Sequence, residues 1–150
     1  MTHSGIKARL QEAMKEALKA RDQVRLDTIR LLLAEIRNAE IEKRAPLEEH
    51  EVVALLRRGI KKREESLMYF RQAGREDLIR QAEQEMAVIT EFLPPPMTEG
   101  ELVSFIQETI AAFPEKPTFS VAMREIMRRL EGRAEGKLVS EIVRKLLEVG

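Results

Sequence analysis

Hydrophobic residues recur every three or four positions along almost the whole chain, and this spacing is typical of amphipathic α-helices. One clear example is the stretch in which Leu26, Ile29, Leu33 and Ile36 follow one another. The alternation of apolar and polar residues that marks a half-buried strand occurs nowhere. The sequence therefore predicts an all-α fold, with a helical share far above that of an average globular protein.

The first 93 residues are predicted to form four helices. Ser4 and Asp22 are suitable N-caps for the first two, because their side-chain oxygens can accept the unpaired N–H groups of a first turn. Pro46 is expected to end the second helix and Gly74 the third. The four predicted helices cover about residues 4–20, 22–43, 48–72 and 76–93.

Three consecutive prolines, Pro94 to Pro96, follow the fourth helix. Consecutive prolines hold a chain extended and stiff, so this segment is the expected domain boundary. The prediction is two helical subdomains, residues 1–93 with about four helices and residues 94–150 with three. The prolines are expected to act as the hinge between them.

The second subdomain is expected to begin with a capping box, in which Thr98 and Glu101 stand three positions apart. Pro114 and Pro117 should end that helix, and Ser120 is the predicted N-cap of the short helix that follows. The last helix then begins immediately after a glycine-containing turn.

This turn has the sequence Gly132-Arg133-Ala134-Glu135-Gly136-Lys137, and it is the strongest candidate for a binding site. Glycine allows a sharp turn and close approach, and the first N–H groups of a helix attract anions. Arg133 and Lys137 would stand beside these groups. The simpler interpretation is a corner between two helices with solvated charges. Glu135 fits that interpretation, although it could also favour the helix start through the helix dipole.

The charge balance and the cysteine content exclude several classes of function. The chain has 26 basic and 26 acidic residues, so attraction of the whole molecule to nucleic acid is not expected, and binding would need a local patch. Cysteine is absent, which excludes disulfides and thiolate chemistry. No signal region or membrane-spanning run is visible. We therefore expect a cytoplasmic protein that does not enter a membrane.

A dense basic run, Arg57 to Arg63, lies in the third predicted helix. Such a run can face RNA, but it can also be a solvated helix face, and flanking glutamates weaken its field. Aromatic residues make up only 4% of the chain, which argues against reading single-stranded bases by stacking. Recognition of a folded RNA by its shape and phosphates stays open.

Sequence signals for catalysis or cofactor binding are absent. There is no P-loop and no dinucleotide-binding fingerprint. His3 and His50 have no second ligand at metal spacing, and no carboxylate lies in an apolar stretch that would raise its pKa. We expect no catalytic residue, no metal and no cofactor.

Five sequence segments stand out together and in order. They are 25–31 (RLDTIRL), 38–44 (NAEIEKR), 73–78 (AGREDL), 91–94 (EFLP) and 132–139 (GRAEGKLV). In these segments the chain resembles the YqeY-like proteins, which are similar to the C-terminal tail of the GatB subunit of the glutamine-dependent aspartyl/glutamyl-tRNA amidotransferase. The resemblance extends over essentially the whole chain.

The resemblance implies two all-helical subdomains. In the amidotransferase the corresponding tail contacts the outer corner of tRNA, whereas the kinase and amidase chemistry lies elsewhere. Family members often carry the label of carbon–nitrogen ligase activity with glutamine as amido-nitrogen donor. This chain lacks the glycine- and serine-rich amidase loop, and function must be argued from a site.

The resemblance also points to the same turn before the last helix. Two departures are visible: Glu135 stands where the family commonly has Asp, and Leu47-Glu48 lacks the Thr or Ser expected before the third helix. Arg133 and Lys137 are the expected phosphate contacts. The candidate RNA- or phosphate-binding residues are Gly132, Arg133, Gly136 and Lys137, with Arg128 and Arg129 as neighbours.

Three functional hypotheses follow. The first is a tRNA-binding or tRNA-amidotransferase-associated module, whose partner is tRNA or a protein of the tRNA aminoacylation and amidation machinery. The second is a protein-interaction adapter without RNA binding. The third, a glutamine-dependent amide-forming enzyme, has only the family label behind it.

Overall fold

The computed structural model describes residues 5–149, and in this part of the chain it contains seven α-helices and no strand. The all-α prediction is therefore confirmed, and the helix limits lie close to those expected from periodicity. The helices are α1 (Ile6–Ala20), α2 (Gln23–Lys43), α3 (Glu49–Gln72), α4 (Glu76–Phe92), α5 (Glu99–Ala111), α6 (Phe119–Leu130) and α7 (Gly136–Val149).

The contacts between residues divide the chain into two compact units, Met1–Leu93 and Pro94–Gly150. Helices α1 to α4 belong to the first unit and α5 to α7 to the second. That these units are subdomains joined by a proline hinge stays a prediction.

The core of the first unit takes one apolar stripe from each of its four helices. Leu10, Ile29, Leu56 and Ile89, one from each helix, are completely buried. Helix α3 packs mainly on α4, and α1 mainly on α2. The apolar residues that recur every three or four positions in the sequence are therefore the residues that form the core.

The start of α1 is capped by a distant carboxylate. Gly5 occupies the N-cap position and has no side chain to offer, while Ser4, the predicted cap, lies outside the described residues. The Ile6 N–H donates instead to the Glu49 carboxylate, with N–O distances of 3.1 and 3.3 Å. The first turn of α3 thus completes the first turn of α1.

Helix α3 compensates for the missing Thr or Ser at its own start. The Glu51 carboxylate accepts the N–H of Glu48 at 2.8 Å, as the acidic member of a capping box does. Lys43, at the end of α2, forms an ion pair with the same Glu51 carboxylate. The hydrogen bond from Lys43 is the main reason that the pKa of Glu51 is lowered, and the hydrogen bond from the Glu48 N–H adds to this effect. The α2–α3 turn is therefore held by side chains.

Glu40 joins three segments of the first unit. It accepts a hydrogen bond from Lys7 Nζ of α1 at 2.9 Å and one from the Leu47 N–H of the α2–α3 turn at 3.0 Å. The Lys7 contact is the main reason that the pKa of Glu40 is lowered, and the Leu47 N–H adds to it. Glu40 is therefore more stable as a carboxylate in the folded chain than in the unfolded chain.

Replacing Glu40 with glutamine should make the first unit less dependent on pH. Because the pKa of Glu40 falls on folding, its stabilisation is present above the ordinary value of 4.5 and is lost as pH falls through the lowered value. We expect Glu40→Gln to cost about 1 kcal/mol at neutral pH and much less in acid. Urea unfolding at several pH values measures this. Glu16→Gln, an exposed change in α1, is the control, and equal pH dependence in both variants would contradict the prediction.

The second unit packs three helices around a separate core. Ile106, Ile126 and Val143, one from each helix, are completely buried. The predicted capping box is present, since Thr98 Oγ1 accepts the Glu101 N–H at 3.2 Å and the Glu101 carboxylate accepts the Thr98 N–H at 2.9 Å.

The predicted cap of α6 was wrong by two residues. Thr118, not Ser120, occupies the N-cap position, and its hydroxyl accepts the Val121 N–H at 3.3 Å. Ser120 lies inside the helix. Both residue types favour caps, so the sequence alone did not distinguish them.

Candidate nucleic-acid interface

The corner between α6 and α7 is a tight turn made by two residues with positive φ. Glu131 has φ 50° and Gly132 has φ 79°. The Arg133 N–H then donates to the Leu130 carbonyl at 3.1 Å, which ends the helix. Gly132 thus provides the sharp turn expected of a glycine, because it adopts a positive φ at little steric cost.

The side chain of Arg133 folds back onto the end of α6. Its Nε donates to the Leu130 carbonyl at 2.9 Å, and its Nη2 donates to the Arg129 carbonyl at 3.4 Å. The guanidinium carbon also lies 5.9 Å from the centre of the Phe105 ring. A cation at the C-terminal end of a helix satisfies its last carbonyls, so Arg133 acts first as a cap of α6.

The backbone of Arg133 also fixes the segment that precedes α5. Its carbonyl accepts the Met97 N–H at 3.1 Å. Close by, the pKa of Glu101 is lowered mainly by the hydrogen bond from the Thr98 N–H, and the positive charge of Arg133 contributes. The corner is therefore connected to α5, α6 and α7 within this unit.

Arg128 and Arg129 lie in the last turn of α6, and both contact Glu125. Arg128 Nη2 and Arg129 Nε lie 2.8 and 2.7 Å from Glu125 Oε2. The Arg128 side chain is 54% exposed and that of Arg129 is 47% exposed. The two cations, Arg128 first, lower the pKa of Glu125. Ion pairs on an exposed surface contribute little to stability, so a phosphate can compete with Glu125 for either arginine.

Lys137 is the exposed cation at the start of α7. Among residues 5–149 it forms no ion pair or hydrogen bond through its side chain. The first backbone bond at this end of the helix runs from the Val139 N–H to the Glu135 carbonyl at 3.1 Å. The N–H groups of Gly136, Lys137 and Leu138 therefore have no acceptor within the helix, and Lys137 stands beside them.

Gly136 is not required by the fold. Its φ lies outside the left-handed region, and an added Cβ would meet only the Met127 Cε at 3.8 Å, an ordinary contact. Gly132 and Gly136 thus have different roles, although the sequence pattern pairs them. The structure brings all six candidate residues to this corner. Four of them are cations, and within residues 5–149 only Lys137 makes no hydrogen bond or ion pair through its side chain.

The basic run of α3 has a feature that the sequence did not show. Arg63 is used internally, since its Nε pairs with Glu85 of α4 at 3.0 Å and its Nη1 donates to the Gly59 carbonyl at 3.0 Å. Arg58, Lys61 and Lys62 are exposed and form no ion pair with any residue of the range 5–149. Helical spacing would have distinguished Arg63 from the three exposed cations, because Gly59 and Arg63 lie on the helix face that is turned towards α4.

Residues 5–149 contain neither a cluster of metal ligands nor a membrane-spanning helix. No group of three or more His, Asp or Glu side chains is placed to hold a metal ion. No helix in that range combines the length and the apolar character that crossing a bilayer requires.

Comparison with known proteins matches residues 7–147 to the family described as Yqey-like protein. Curated relatives include the protein named "Altered inheritance of mitochondria protein 41, mitochondrial" in three fungi. That of Pyrenophora tritici-repentis is 27% identical over 143 residues, covering 93% of this chain and 79% of the relative. That of Lachancea thermotolerans is 27% identical over 130 residues, covering 85% and 69%. That of Eremothecium gossypii is 34% identical over 87 residues, covering 57% of this chain and about half, 48%, of the relative.

These names place the relatives in mitochondria, and the cytoplasmic location expected for this chain stays a prediction. The names describe no catalytic activity. The family match, in contrast, extends from α1 to α7 and so includes the cores of both units. On this basis the chain belongs to the YqeY-like protein family.

Proposed function

We propose that this YqeY-like protein is a tRNA-binding or tRNA-amidotransferase-associated module that binds through the corner between α6 and α7. It is not catalytic by itself. Its partner is tRNA or a protein of the tRNA aminoacylation and amidation machinery. Family membership supports the proposal, and the charges of the corner supply the physical mechanism.

The observation that carries the proposal is the position of Lys137. An exposed ammonium group without an ion pair in the described chain stands at a helix start whose N–H groups have no intrahelical acceptor. A phosphate bound there would receive backbone hydrogen bonds, the favourable end of the helix dipole and one cation. These contacts position a nucleic acid without reading its sequence.

The arginines of α6 add to this surface in two ways. Arg128 and Arg129 lie in exposed pairs with Glu125, which a phosphate can displace at small cost. Arg133 is a positioning residue, because its side chain holds the end of α6. Only two of its five N–H donors are directed at those carbonyls, so it can also donate to a phosphate.

Reversing the charge of Lys137 should weaken tRNA binding. In a titration with purified tRNA at low salt, we expect Lys137→Glu to reduce the affinity by about tenfold. The dependence of log K on log salt should become shallower by about one unit, because one phosphate contact is lost.

Lys116→Glu is the matched control. Lys116 is exposed, forms no ion pair with any residue between 5 and 149, and precedes α6, whereas the corner follows that helix. By the helical rise the two sites are about 18 Å apart. No binding by the natural chain, or equal losses in both variants, would reject the corner as the tRNA site.

A protein-interaction adapter without RNA binding is the second candidate. It is favoured by the balance of 26 basic and 26 acidic residues, which gives the whole chain no net attraction to a polyanion. The carbon–nitrogen ligase label is not part of the proposal, because no step of that reaction is assigned to a residue of this chain. Release of ammonia from glutamine by the purified chain would overturn the non-catalytic part of the proposal.

A further inference from the structure

A long trough runs between α2 and α3 of the first unit. Three adjoining cavities of about 350 to 400 Å³ form it, and at the end near Phe70 helix α4 also lines the opening. They share lining residues, with Glu35 and Lys62 common to two of them and Glu42 and Arg58 common to another two. Along α3 the trough extends from Glu51 to Phe70, roughly 28 Å at 1.5 Å per residue.

The two walls of the trough carry opposite charges. On α2, Glu35 and Glu42 stand seven positions apart on one stripe. On α3, Arg58 and Lys62 stand four positions apart on the facing stripe. None of the four forms an ion pair with any residue of the described range 5–149. The walls are therefore complementary in charge along this middle section, and the ion pair between Lys43 and Glu51 joins them only at one end of the trough.

The floor between these walls is apolar and partly built from small residues. Leu55 and Gly59 of α3 are buried there, and Ala39 of α2 lines the same opening. At one end, Leu31 is 48% exposed beside Phe70. Small floor residues with charged edges suit the close approach of another helix, and a trough of this length accommodates several helical turns.

We propose that this trough is an interface between two copies of the chain. In a two-fold arrangement, the acidic stripe of α2 in one copy would lie against the basic stripe of α3 in the other, and the same contact would occur twice. Each copy supplies both signs of charge. The formal net charge of zero means that two copies do not repel one another as whole molecules.

Sedimentation equilibrium of the full chain over a wide concentration range tests the proposal. We expect a reversible dimer of twice the monomer mass, which weakens as salt increases because the contacts between the walls are ionic. Arg58→Glu with Lys62→Glu makes both walls acidic. Glu35→Lys with Glu42→Lys makes both walls basic. Each double variant alone should dimerise about tenfold or more weakly than the natural chain.

Mixing the two double variants gives the sharpest result. In the mixed pair, each acidic wall of one chain meets a basic wall of the other, at both contacts of the two-fold. We therefore expect a heterodimer about as strong as the natural dimer. Lys15→Glu with Lys19→Glu, on exposed positions of α1, changes the net charge by the same amount as the acidic variant and should leave dimerisation unchanged.

Three outcomes would overturn the proposal. They are a natural chain that stays monomeric at every concentration, a mixture of the two variants that stays monomeric, and a control that weakens dimerisation as much as the trough variants. If a charge-reversed variant loses its helical circular dichroism, Arg58→Gln with Lys62→Gln replaces it. The latter should weaken the dimer without placing like charges together.

Discussion

Replacing Leu56 with alanine is expected to lower the free energy of unfolding of the first unit by about 2–5 kcal/mol. Leu56 is completely buried in the four-helix core, where α3 packs mainly on α4. Removing its isobutyl group loses the transfer free energy of the buried atoms, and the cavity that remains adds to the cost. This is among the largest effects that a single side chain of this chain can produce.

Urea unfolding followed by circular dichroism measures the effect. Leu18→Ala is the matched control, since Leu18 has the same side chain but is 57% exposed at the end of α1. We expect the control to change the free energy of unfolding by no more than about 0.5 kcal/mol. Similar losses in both variants would mean that Leu56 does not lie in a close-packed core.

Replacing Gly132 with alanine should destabilise the second unit by about 1–2 kcal/mol. Gly132 has φ 79°, and a Cβ in the left-handed region approaches the following carbonyl oxygen. The turn also directs Arg133 towards the Leu130 carbonyl and places its own carbonyl where Met97 can donate. Straining it therefore affects three helices.

Gly136→Ala should have the opposite sign. Its φ is ordinary for an L-residue and its Cβ would have room, so alanine should stabilise α7 by up to about 1 kcal/mol. Amide hydrogen exchange in α6 and α7 would report both changes. Faster exchange in Gly136→Ala than in Gly132→Ala would contradict this assignment.

Gly136→Ala also separates folding from binding. If a phosphate approaches the backbone at this position, as we propose, the variant should keep its stability but lose tRNA affinity. If the variant keeps both its stability and its tRNA affinity, the phosphate does not approach the backbone closely at Gly136. The contact would then be made by the side chain of Lys137 alone.

The helices were predictable because their signals are local. Hydrophobic periodicity gave the fold class and all seven helices, and the caps at Asp22 and Thr98 are present where they were expected. The errors arose where two nearby residues were equally suitable for the same structural role. Thr118 and Ser120 both suit an N-cap, and in the structure Thr118 is the cap while Ser120 lies in the first turn of α6.

The side-chain partners were not predictable, because they depend on residues far away in the chain. Nothing near Arg63 in sequence indicates its pairing with Glu85 of α4, and nothing near Glu49 indicates that it caps α1. At the corner, the sequence indicated which candidate residues lie together, because all six fall within ten positions, 128 to 137. It treated Arg133 and Lys137 as equivalent cations, whereas Phe105 and the end of α6 engage only Arg133.

The cap that Glu49 gives to Ile6 has a consequence for biosynthesis. The two residues are 43 positions apart, so the Ile6 N–H of the nascent chain lacks this acceptor until Glu49 has been synthesised. We therefore expect the beginning of α1 to stay frayed until the start of α3 has left the exit tunnel. The amino-terminal helix therefore acquires its stable beginning only after the α1–α2 hairpin has been synthesised.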